Sequence, residues 1–339
     1  MSVAPARLAP DPGAWEIRQP FGPRVLALLL AAALALGVSA HRVEMDRMLA
    51  LTGEWLAALA GLRETSQVGR GLGRVAETMF PLQVGEVTEV SRIEGFDPAR
   101  LPWLARVERQ ESREVRLNRQ TLQTEETVEV KEVLVEPLGY LWRVLAKMLE
   151  TLEIALWGTL LAVVVSVPLA LWGASNYTPH PGVYAAARGT VSFLRAIPEM
   201  ISALFLVLAF GFGPVAGILA LGFHAAGFLG KFYAEDIENA DRGPQEALHA
   251  IGAGRLKVLA FGVLPQVVPQ YVAYTLYILD RNVRMATVIG LVGAGGIGQE
   301  LKGRYDMFNY GHVSTILLVL FVTVFLLDQL SARVRARLI

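Results

Sequence analysis

Three charged residues, Asp280, Arg281 and Arg284, lie within an apolar stretch of the sequence where charge is unexpected. An ionisable side chain at membrane depth costs several kcal/mol unless it is paired or hydrated, so each of the three is a candidate functional residue. Arg284 is suited to attracting an oxyanion. Asp280 and Arg284 are also spaced i and i+4, which allows an internal ion pair on one helix face. The sequence leaves both alternatives open.

A second charged pair, Arg195 and Glu199, flanks Ile197-Pro198. We interpret this pair as a gate or a structural ion pair at the inner end of a membrane span. The five histidines are far apart, none has the spacing of metal ligands, and no Ser-His-Asp grouping stands out. Cysteine is absent, which excludes thiolate chemistry. We therefore predict neither catalytic nor metal-binding residues.

Residues 293–298 read Gly-Ala-Gly-Gly-Ile-Gly and satisfy the dinucleotide fingerprint G-x-G-x-x-G. That fingerprint needs a preceding strand and an acidic residue about twenty positions downstream. Here an apolar helical stretch precedes it and another apolar stretch follows, so cofactor binding is not expected. Glycine-rich backbone at membrane depth is tolerated where it lines a cavity. The segment predicts flexible or closely packed backbone at a span end, with a plain turn as the alternative.

The elements that must position these residues are membrane spans. Hydrophobic residues make up 53% of the 339 positions and charged residues only 18%, below the usual share for soluble domains. Several stretches approach the roughly 18–20 apolar residues that a helix needs to cross a bilayer. We predict six spans, at about 21–40, 151–173, 200–210, 214–228, 269–291 and 313–330. The first could instead be a secretory signal peptide, because residues 38–40 (Val-Ser-Ala) resemble a cleavage site.

The distribution of charge predicts the orientation of these spans. The segments before the first span and after the last one are rich in arginine, which is typical of cytoplasmic flanks. We therefore predict that both termini, including an amino-terminal segment 1–20, and the loop 231–264 are cytoplasmic. Lys plus Arg equals Asp plus Glu at 31 each, so no overall basic field exists to bind nucleic acid.

Residues 41–136 differ in composition, with 30 of the 62 charged side chains. We predict that they form an extracytoplasmic insert with a solvated surface. Residues 48–62 have apolar positions at helical spacing and predict an amphipathic helix. Residues 127–135 have the partial alternation and β-branched content of a strand. The insert is therefore predicted to have mixed or β character.

The cytoplasmic segment of about 231–265 predicts two short helices that meet at a glycine bend. Gly243-Pro244 is a helix start, Gly252 and Gly254 interrupt the helix, and a second helix is expected to run from residue 255 to Leu264-Pro265. Helices this short are not stable alone in water, so they must dock on another surface. That surface is either the chain's own membrane helices or a partner.

These residues carry a resemblance to a known family. Glu246-Ala247, Gly252 six positions after the glutamate, and Leu264-Pro265 resemble the EAA loop of ABC-importer permeases. Leu248 stands where that pattern has a second alanine, and Gly262 stands where it usually has an aliphatic residue. Residues 282–288 (NVRMATV) and 292–298 (VGAGGIG) resemble the phosphonate-uptake branch of the same superfamily. The resemblance extends over about 137–339.

The resemblance implies an all-α membrane protein of six transmembrane helices, with a five-helix type I ABC importer core at 137–339. It implies a homodimer in the bacterial inner membrane, in contact with lipid, two copies of a separate ATPase and an extracytoplasmic substrate-binding protein. ATP and Mg would be bound by that ATPase, since this chain has no G-x-x-x-x-G-K-[ST] phosphate loop. The chain itself is expected to be neither an enzyme nor the holder of a cofactor.

The resemblance also implies roles for individual residues. Those expected to couple to the ATPase are Glu246, Ala247, Leu248, Gly252, Leu264 and Pro265. Those expected to belong to the translocation pathway are Asn282, Arg284, Gly293, Gly295, Gly296 and Gly298. The possible gate or structural pair comprises Arg195 and Glu199, together with Asp280.

The function that this resemblance implies is ATP-driven import of phosphonate or a related phosphorus oxyanion. Two alternatives stay open on the sequence. One is a secondary carrier without an ATPase, although no internal repeat between the halves supports it. The other is a membrane-anchored sensor whose outer insert binds a ligand.

Overall fold

The computed structural model describes residues 22–98, 101–102, 104–117 and 124–338. Within these ranges the chain is mostly helical. In chain order the elements are α1 (Pro23–Arg42), α2 (Met45–Leu59), α3 (Gln67–Met79), β1 (Glu86–Glu89), β2 (Arg106–Leu117), β3 (Thr124–Glu136), α4 (Gly139–Gly173), α5 (Pro181–Ala196), α6 (Glu199–Phe210), α7 (Pro214–Asn239), α8 (Arg242–Ala250), α9 (Arg255–Val258), α10 (Leu264–Gly290), α11 (Gly296–Asp306) and α12 (Tyr310–Leu338). A 3₁₀ turn, Val90–Arg92, follows β1, and a π-helical turn, Leu259–Val263, joins α9 to α10.

The chain divides into two compact units, and the first ends at Glu77. That unit contains α1, α2 and most of α3. Pro23 begins α1, where its missing N–H leaves no hydrogen bond unmade. The 20 residues of α1 are mostly apolar, none of them is buried, and they extend about 30 Å, the thickness of a hydrocarbon core. Length and composition therefore suit α1 to crossing a membrane.

Five helical segments in the described residues are long and apolar enough to span a bilayer: α1, α4, α7, α9 with α10, and α12. The pair α5 and α6 passes the same test together, but the two helices meet at 90°. The sequence predicts a short span at 200–210 but gives no signal for α5, because Arg188 and Arg195 lower the hydropathy of its residues. The bend follows from Pro198, which disfavours a helical conformation at Ile197.

The centre of the second unit is the contact between α4 and α7, against which α5, α6, α10 and α11 pack. Small residues let α4 and α7 approach closely. A Cβ on Gly158 would lie 3.1 Å from the Leu221 side chain, and a Cβ on Gly222 would meet Leu161. The 35 residues of α4 extend about 52 Å, so this helix continues well beyond the roughly 30 Å of a hydrocarbon core.

The helix that begins at Arg255 does not end at Leu264-Pro265, where the sequence pattern predicts its end. It continues through the π-helical turn into α10, which carries Pro265 in its first turn and Pro269 inside. Proline lacks an N–H, and its ring clashes with the carbonyl group four residues earlier in an ordinary α-helix. The wider π turn immediately before Pro265 accommodates both the missing hydrogen bond and the proline ring. The span beginning at about Pro269 is therefore the outer part of a longer helix.

Residues 86–136 contain a three-stranded antiparallel sheet in the order β1-β3-β2. Val135 of β3 lies opposite Val87 on one side and Arg106 on the other. The long β2-β3 hairpin extends past β1, which pairs only with the last four residues of β3. Because β3 ends at Glu136 and α4 begins at Gly139, the sheet leads almost directly into the helical core.

Candidate functional site

Helix α8 contains the first part of the EAA-like motif and has defined caps at both ends. Asp241 accepts a hydrogen bond from the Gly243 N–H at 3.1 Å and so caps the amino terminus. At the other end Gly252 has φ +81°, and its N–H donates to the His249 carbonyl oxygen at 2.9 Å. This left-handed residue ends α8 and turns the chain towards α9.

The outer surface of this segment is exposed and partly apolar. Glu246 and Ala247 on α8 are both exposed. Beyond the bend, Ile251 is 79% and Leu256 81% exposed, and Phe261 on the π turn is 71% exposed. Exposed large apolar side chains mark a surface that a protein partner or a membrane covers. The exposed segment from α8 to the π turn therefore has the properties of a contact surface.

Leu248 and Gly262, the two departures from the family pattern, lie against each other. Leu248 is half-buried beneath α8, and Gly262 is buried on the π turn. A Cβ on Gly262 would lie 3.1 Å from Leu248 Cδ1. The larger side chain on α8 therefore occupies space that the absent side chain on the π turn leaves free.

Hydrogen bonds connect α8 and its neighbours to the start of α10. The Gln266 side-chain oxygen accepts from the Asp241 N–H at 2.9 Å, beside the amino-terminal cap of α8. Leu264 is half-buried and Pro265 is exposed at the beginning of α10. The two halves of the motif, 246–252 and 264–265, are thus brought onto one compact surface.

The turn between α4 and α5 binds the same segment from the other side. Asn176 donates to the Ile237 carbonyl oxygen at 3.0 Å and accepts from Arg255 at 3.3 Å through its own carbonyl oxygen. The Tyr177 hydroxyl donates to Gln245 at 3.4 Å. Burial raises the pKa of the Tyr177 hydroxyl, against a smaller opposing effect of Arg255, so it stays a donor at neutral pH. Hydrogen bonds therefore connect α8 and α9 to the α4–α5 turn and, through Asn176, to α7.

The glycine segment after α10 is a buried junction. Gly293, Gly295 and Gly296 all have positive φ, between 70° and 95°, which side-chain-bearing residues rarely adopt. A Cβ on Gly293 would collide with the ring of Phe212, and one on Gly298 would collide with the Thr287 carbonyl oxygen. These glycines allow α10, α11 and the start of α7 to approach at backbone distance.

In the segment that matches the dinucleotide fingerprint, side chains of this chain already accept hydrogen bonds from the backbone N–H groups. The Glu150 carboxylate accepts from the Gly296 N–H at 3.0 Å, and Thr151 Oγ1 accepts from the Ile297 N–H at 2.7 Å. Two side chains of α4 therefore satisfy the amino terminus of α11, where a bound phosphate would otherwise sit. A helix rather than a strand precedes the segment. The geometry agrees with close packing and not with a nucleotide site.

Two residues that the sequence assigned to one pathway have different surroundings. Asn282 is buried and donates to Thr159 Oγ1 on α4 at 2.9 Å, so it fastens α10 to α4. Arg284 contacts Asp280 at 2.7 Å, and its side chain is half-exposed while that of Asp280 is buried. The i, i+4 ion pair therefore forms, with the guanidinium group of Arg284 at the surface of the single chain.

Glu199 contacts two other residues rather than Arg195. Its carboxylate oxygen Oε1 lies 3.0 Å from His224 Nε2 and forms an ion pair with Arg281. Arg195, on the other side of the bend, lies over the ring of Phe228 at 5.5 Å from its centroid. His224, one of the five widely separated histidines, is only 7% exposed within α7. The signal available in the sequence was a polar residue in an apolar, glycine-rich helix.

Comparison with known proteins identifies relatives. Residues 166–339 match the family of binding-protein-dependent transport system inner membrane components. Over 261 residues the chain is 60% identical to a putative phosphite transport system permease protein, HtxE, of Stutzerimonas stutzeri, a match covering 77% of this chain and all of HtxE. It is 42% identical over 166 residues to the phosphate-import permease protein PhnE of Mycolicibacterium smegmatis, covering 49% of this chain and 31% of that protein.

The fold is also similar to that of a solved transporter. An inward-facing structure of the MetNI methionine ABC transporter aligns with a TM-score of 0.52 and 22% identity. The alignment covers 59% of this chain and 97% of the other. At this level of identity the likeness establishes the arrangement of helices.

Proposed function

The chain belongs to the family of binding-protein-dependent transport system inner membrane components, and we propose that it is the permease subunit of an ATP-driven importer of phosphonate or a related phosphorus oxyanion. The observation that carries this proposal is the 60% identity to HtxE over the whole length of that phosphite transport permease. The similarity to a phosphate-import permease supports the same class of tetrahedral phosphorus anion. These relatives favour a permease over a secondary carrier or a sensor.

We propose that α8 and the bend after it form the coupling surface for a separate ATPase that binds ATP and Mg. Glu246 is free to pair with a basic residue of that partner, and Ala247 allows close approach. Gly252 provides the bend, and Leu248 packs α8 against the π-helical turn that precedes Leu264 and Pro265. The exposed side chains of Ile251 and Leu256 support this assignment, because docking would remove them from water.

The assembly that we propose contains two copies of this chain, two ATPase subunits and an extracytoplasmic binding protein. We propose six spans, with α5 and α6 counted as one broken span. In this topology both termini and α8 are cytoplasmic and residues 41–136 are outside. We propose that this assembly lies in the bacterial inner membrane. The positive charge of the terminal flanks supports this orientation.

Within the membrane, we propose that Arg284 faces the pathway between the two copies. Its half-exposed guanidinium group supports this, since an arginine facing lipid would be costly. Asn282 and the glycines at 293, 295, 296 and 298 would shape the pathway by fixing α10 against α4 and α11.

Reconstitution tests the proposal. The chain would be placed in liposomes with its ATPase and binding protein, and ATP hydrolysis would be measured with methylphosphonate, phosphite and phosphate. We expect stimulation by at least one of these anions and none by methionine, which serves as the control. Stimulation by none of the three would contradict import of a phosphorus oxyanion.

A further inference from the structure

We propose that Arg281 and His224 form an oxyanion subsite at the bend between α5 and α6, and that the Glu199 carboxylate occupies the place of a phosphorus oxyanion. The proposal rests on the proposed function and adds a specific point of contact along the transport path. It differs from the assignment of Arg284, which is already paired with Asp280 at 2.7 Å.

The geometry of the cluster is that of a carboxylate held by a guanidinium donor, with an imidazole ring beside both groups. His224 Nε2 also lies 3.1 Å from Arg281 Nη2. Glu199 begins α6, His224 lies in α7 and Arg281 lies in α10, so three separate elements converge. Glu199 Oε1 contacts Arg281 Nη2 and lies 3.0 Å from His224 Nε2. The Ile197 carbonyl oxygen lies 3.0 Å from His224 Nδ1 and orients the ring. A guanidinium group beside an imidazole suits the oxygen atoms of a phosphorus oxyanion as well as those of a carboxylate.

The cluster lies deep in the membrane region. His224 precedes the end of α7 by about 22 Å, and Arg281 follows the start of α10 by about 25 Å, at 1.5 Å per residue. Those helix ends adjoin α8, so both residues are far from the coupling surface. Side chains of Glu199 and His224 are only 13% and 8% exposed. Ionisable groups at such depth are uncommon and are typical of transport pathways.

Positive charge exceeds negative charge at this bend. Arg195 and Arg281 both lie over the Phe228 ring, at 5.5 and 5.0 Å from its centroid. In the part of the chain that the structure describes, no carboxylate is within ion-pair distance of Arg195, and Glu199 is the single acid that pairs with Arg281. The amino terminus of α6 adds further positive potential. One more anion would balance this charge.

The close packing of α5 on α7, which brings Arg195 to the bend, depends on Gly227. A Cβ there would lie 2.8 Å from Arg195 Cγ and 3.0 Å from Leu194 Cβ. Any larger residue would push α5 away from α7 and remove Arg195 from the ring of Phe228. The second guanidinium group is thus brought in by the packing of α5 on α7.

This arrangement explains how an anion could be attracted without being trapped. An arriving oxyanion takes the place of the Glu199 carboxylate at Arg281 and His224. The carboxylate remains tethered nearby, so its return displaces the substrate. A built-in competitor keeps the affinity of the subsite low, as passage through a permease requires.

Anion binding to the detergent-solubilised complex of the full chain with its ATPase tests this idea in the absence of the binding protein. Binding of phosphite, methylphosphonate and phosphate would be measured by calorimetry at constant ionic strength. Glu199→Gln should bind at least one anion about tenfold more tightly than the wild type, because the neutral amide competes poorly for Arg281. Adding Arg281→Gln should abolish that gain. Glu199→Asp, which keeps the charge on a shorter side chain, should give a smaller gain.

Glu238→Gln provides the matched control, because Glu238 also joins α7 to an arginine of α5, at 2.9 Å from Arg188. It should leave anion binding unchanged. If neither Glu199→Gln nor Glu199→Asp strengthens binding, or if the gain survives Arg281→Gln, Glu199 is a structural lock and the subsite is refuted. Failure of every phosphorus oxyanion to stimulate the reconstituted wild type would instead refute the proposed function.

Discussion

Leu248 and Gly262 illustrate how single residues determine the packing of α8 on the π-helical turn. The space above Gly262 is filled by Leu248 Cδ1, 3.1 Å from where a Cβ would lie. A change at either position alone therefore disturbs the packing of α8 on the π turn. The two positions should be energetically coupled, because they share one contact.

Gly262→Val is expected to destabilise the protein by about 1–3 kcal/mol through overpacking. Leu248→Ala in the same chain should recover most of that loss, because it removes the atoms that the new side chain meets. Thermal unfolding of the two single variants and the double variant in detergent measures the coupling. Additive effects of the two changes would contradict the contact.

Gly298, at the junction of α10 and α11, is another position with no space for a side chain. Gly298→Ala places a Cβ against the Thr287 carbonyl oxygen and 2.9 Å from Gly290 Cα, and neither backbone can move easily. We expect Gly298→Ala to lower the free energy of unfolding by about 3 kcal/mol. Gly303→Ala on the same helix is the control, since a Cβ there meets nothing within 4 Å and should stabilise by about 0.5–1 kcal/mol. Equal thermal stability of the two variants would contradict the packing described.

At the scale of elements, the turn that ends α8 determines the direction in which the chain continues into α9, and so the shape of the proposed coupling surface. Gly252 and Gly254 both lie in this turn, and neither would bring a new Cβ within 4 Å of another atom. They differ in backbone conformation, since Gly252 has φ +81° and Gly254 has φ −72°. The two positions therefore separate conformational strain from steric contact.

Gly252→Ala should strain the turn by about 1–2 kcal/mol and weaken association with the ATPase, whereas Gly254→Ala should have little effect. Co-purification of the ATPase with each variant, followed by uptake in liposomes, measures the difference. If both variants retain the wild-type association and uptake, the bend after α8 is not part of the coupling surface.

The sequence predicted the elements whose signal is local and missed those that depend on tertiary contacts. The bend at Gly252 and the strand near residues 127–135 were visible, because turn residues and alternation reveal them. Helix α5 was missed because Arg188 and Arg195 mask its apolar side, yet Arg188 pairs with Glu238 and Arg195 lies over Phe228. Partners of Glu199 were also beyond prediction, since His224 and Arg281 lie 25 and 82 positions away.

At the scale of the whole second unit, the segment that contains the three-stranded sheet is hydrogen-bonded to the helical core at its base. The Gln83 N–H donates to the Gly311 carbonyl oxygen at 3.2 Å, and Thr315 donates to the Gln83 carbonyl oxygen at 2.7 Å. Glu86, at the start of β1, contacts Arg143 of α4 at 2.7 Å and Arg304 of α11 at 3.4 Å. Movement of α4, α11 or α12 therefore moves the base of the sheet.

The base and the outer part of the hairpin should consequently differ in what they contribute to stability. Glu108 lies directly opposite Val133, so an Asn-Gly turn can join these two residues and replace 109–132. That variant retains β1, the last part of β3 and the Glu86 contacts, and we expect the thermal stability of the wild type.

Deletion of 86–136 removes Glu86 and leaves Arg143 and Arg304 without its carboxylate, with Arg304 only 17% exposed. We expect this variant to unfold at a clearly lower temperature in detergent, because a buried charge that loses a partner is destabilising. Glu86→Gln in the full-length chain should reproduce part of the loss. If the full deletion is as stable as the shortened hairpin, the base of the insert does not support the core.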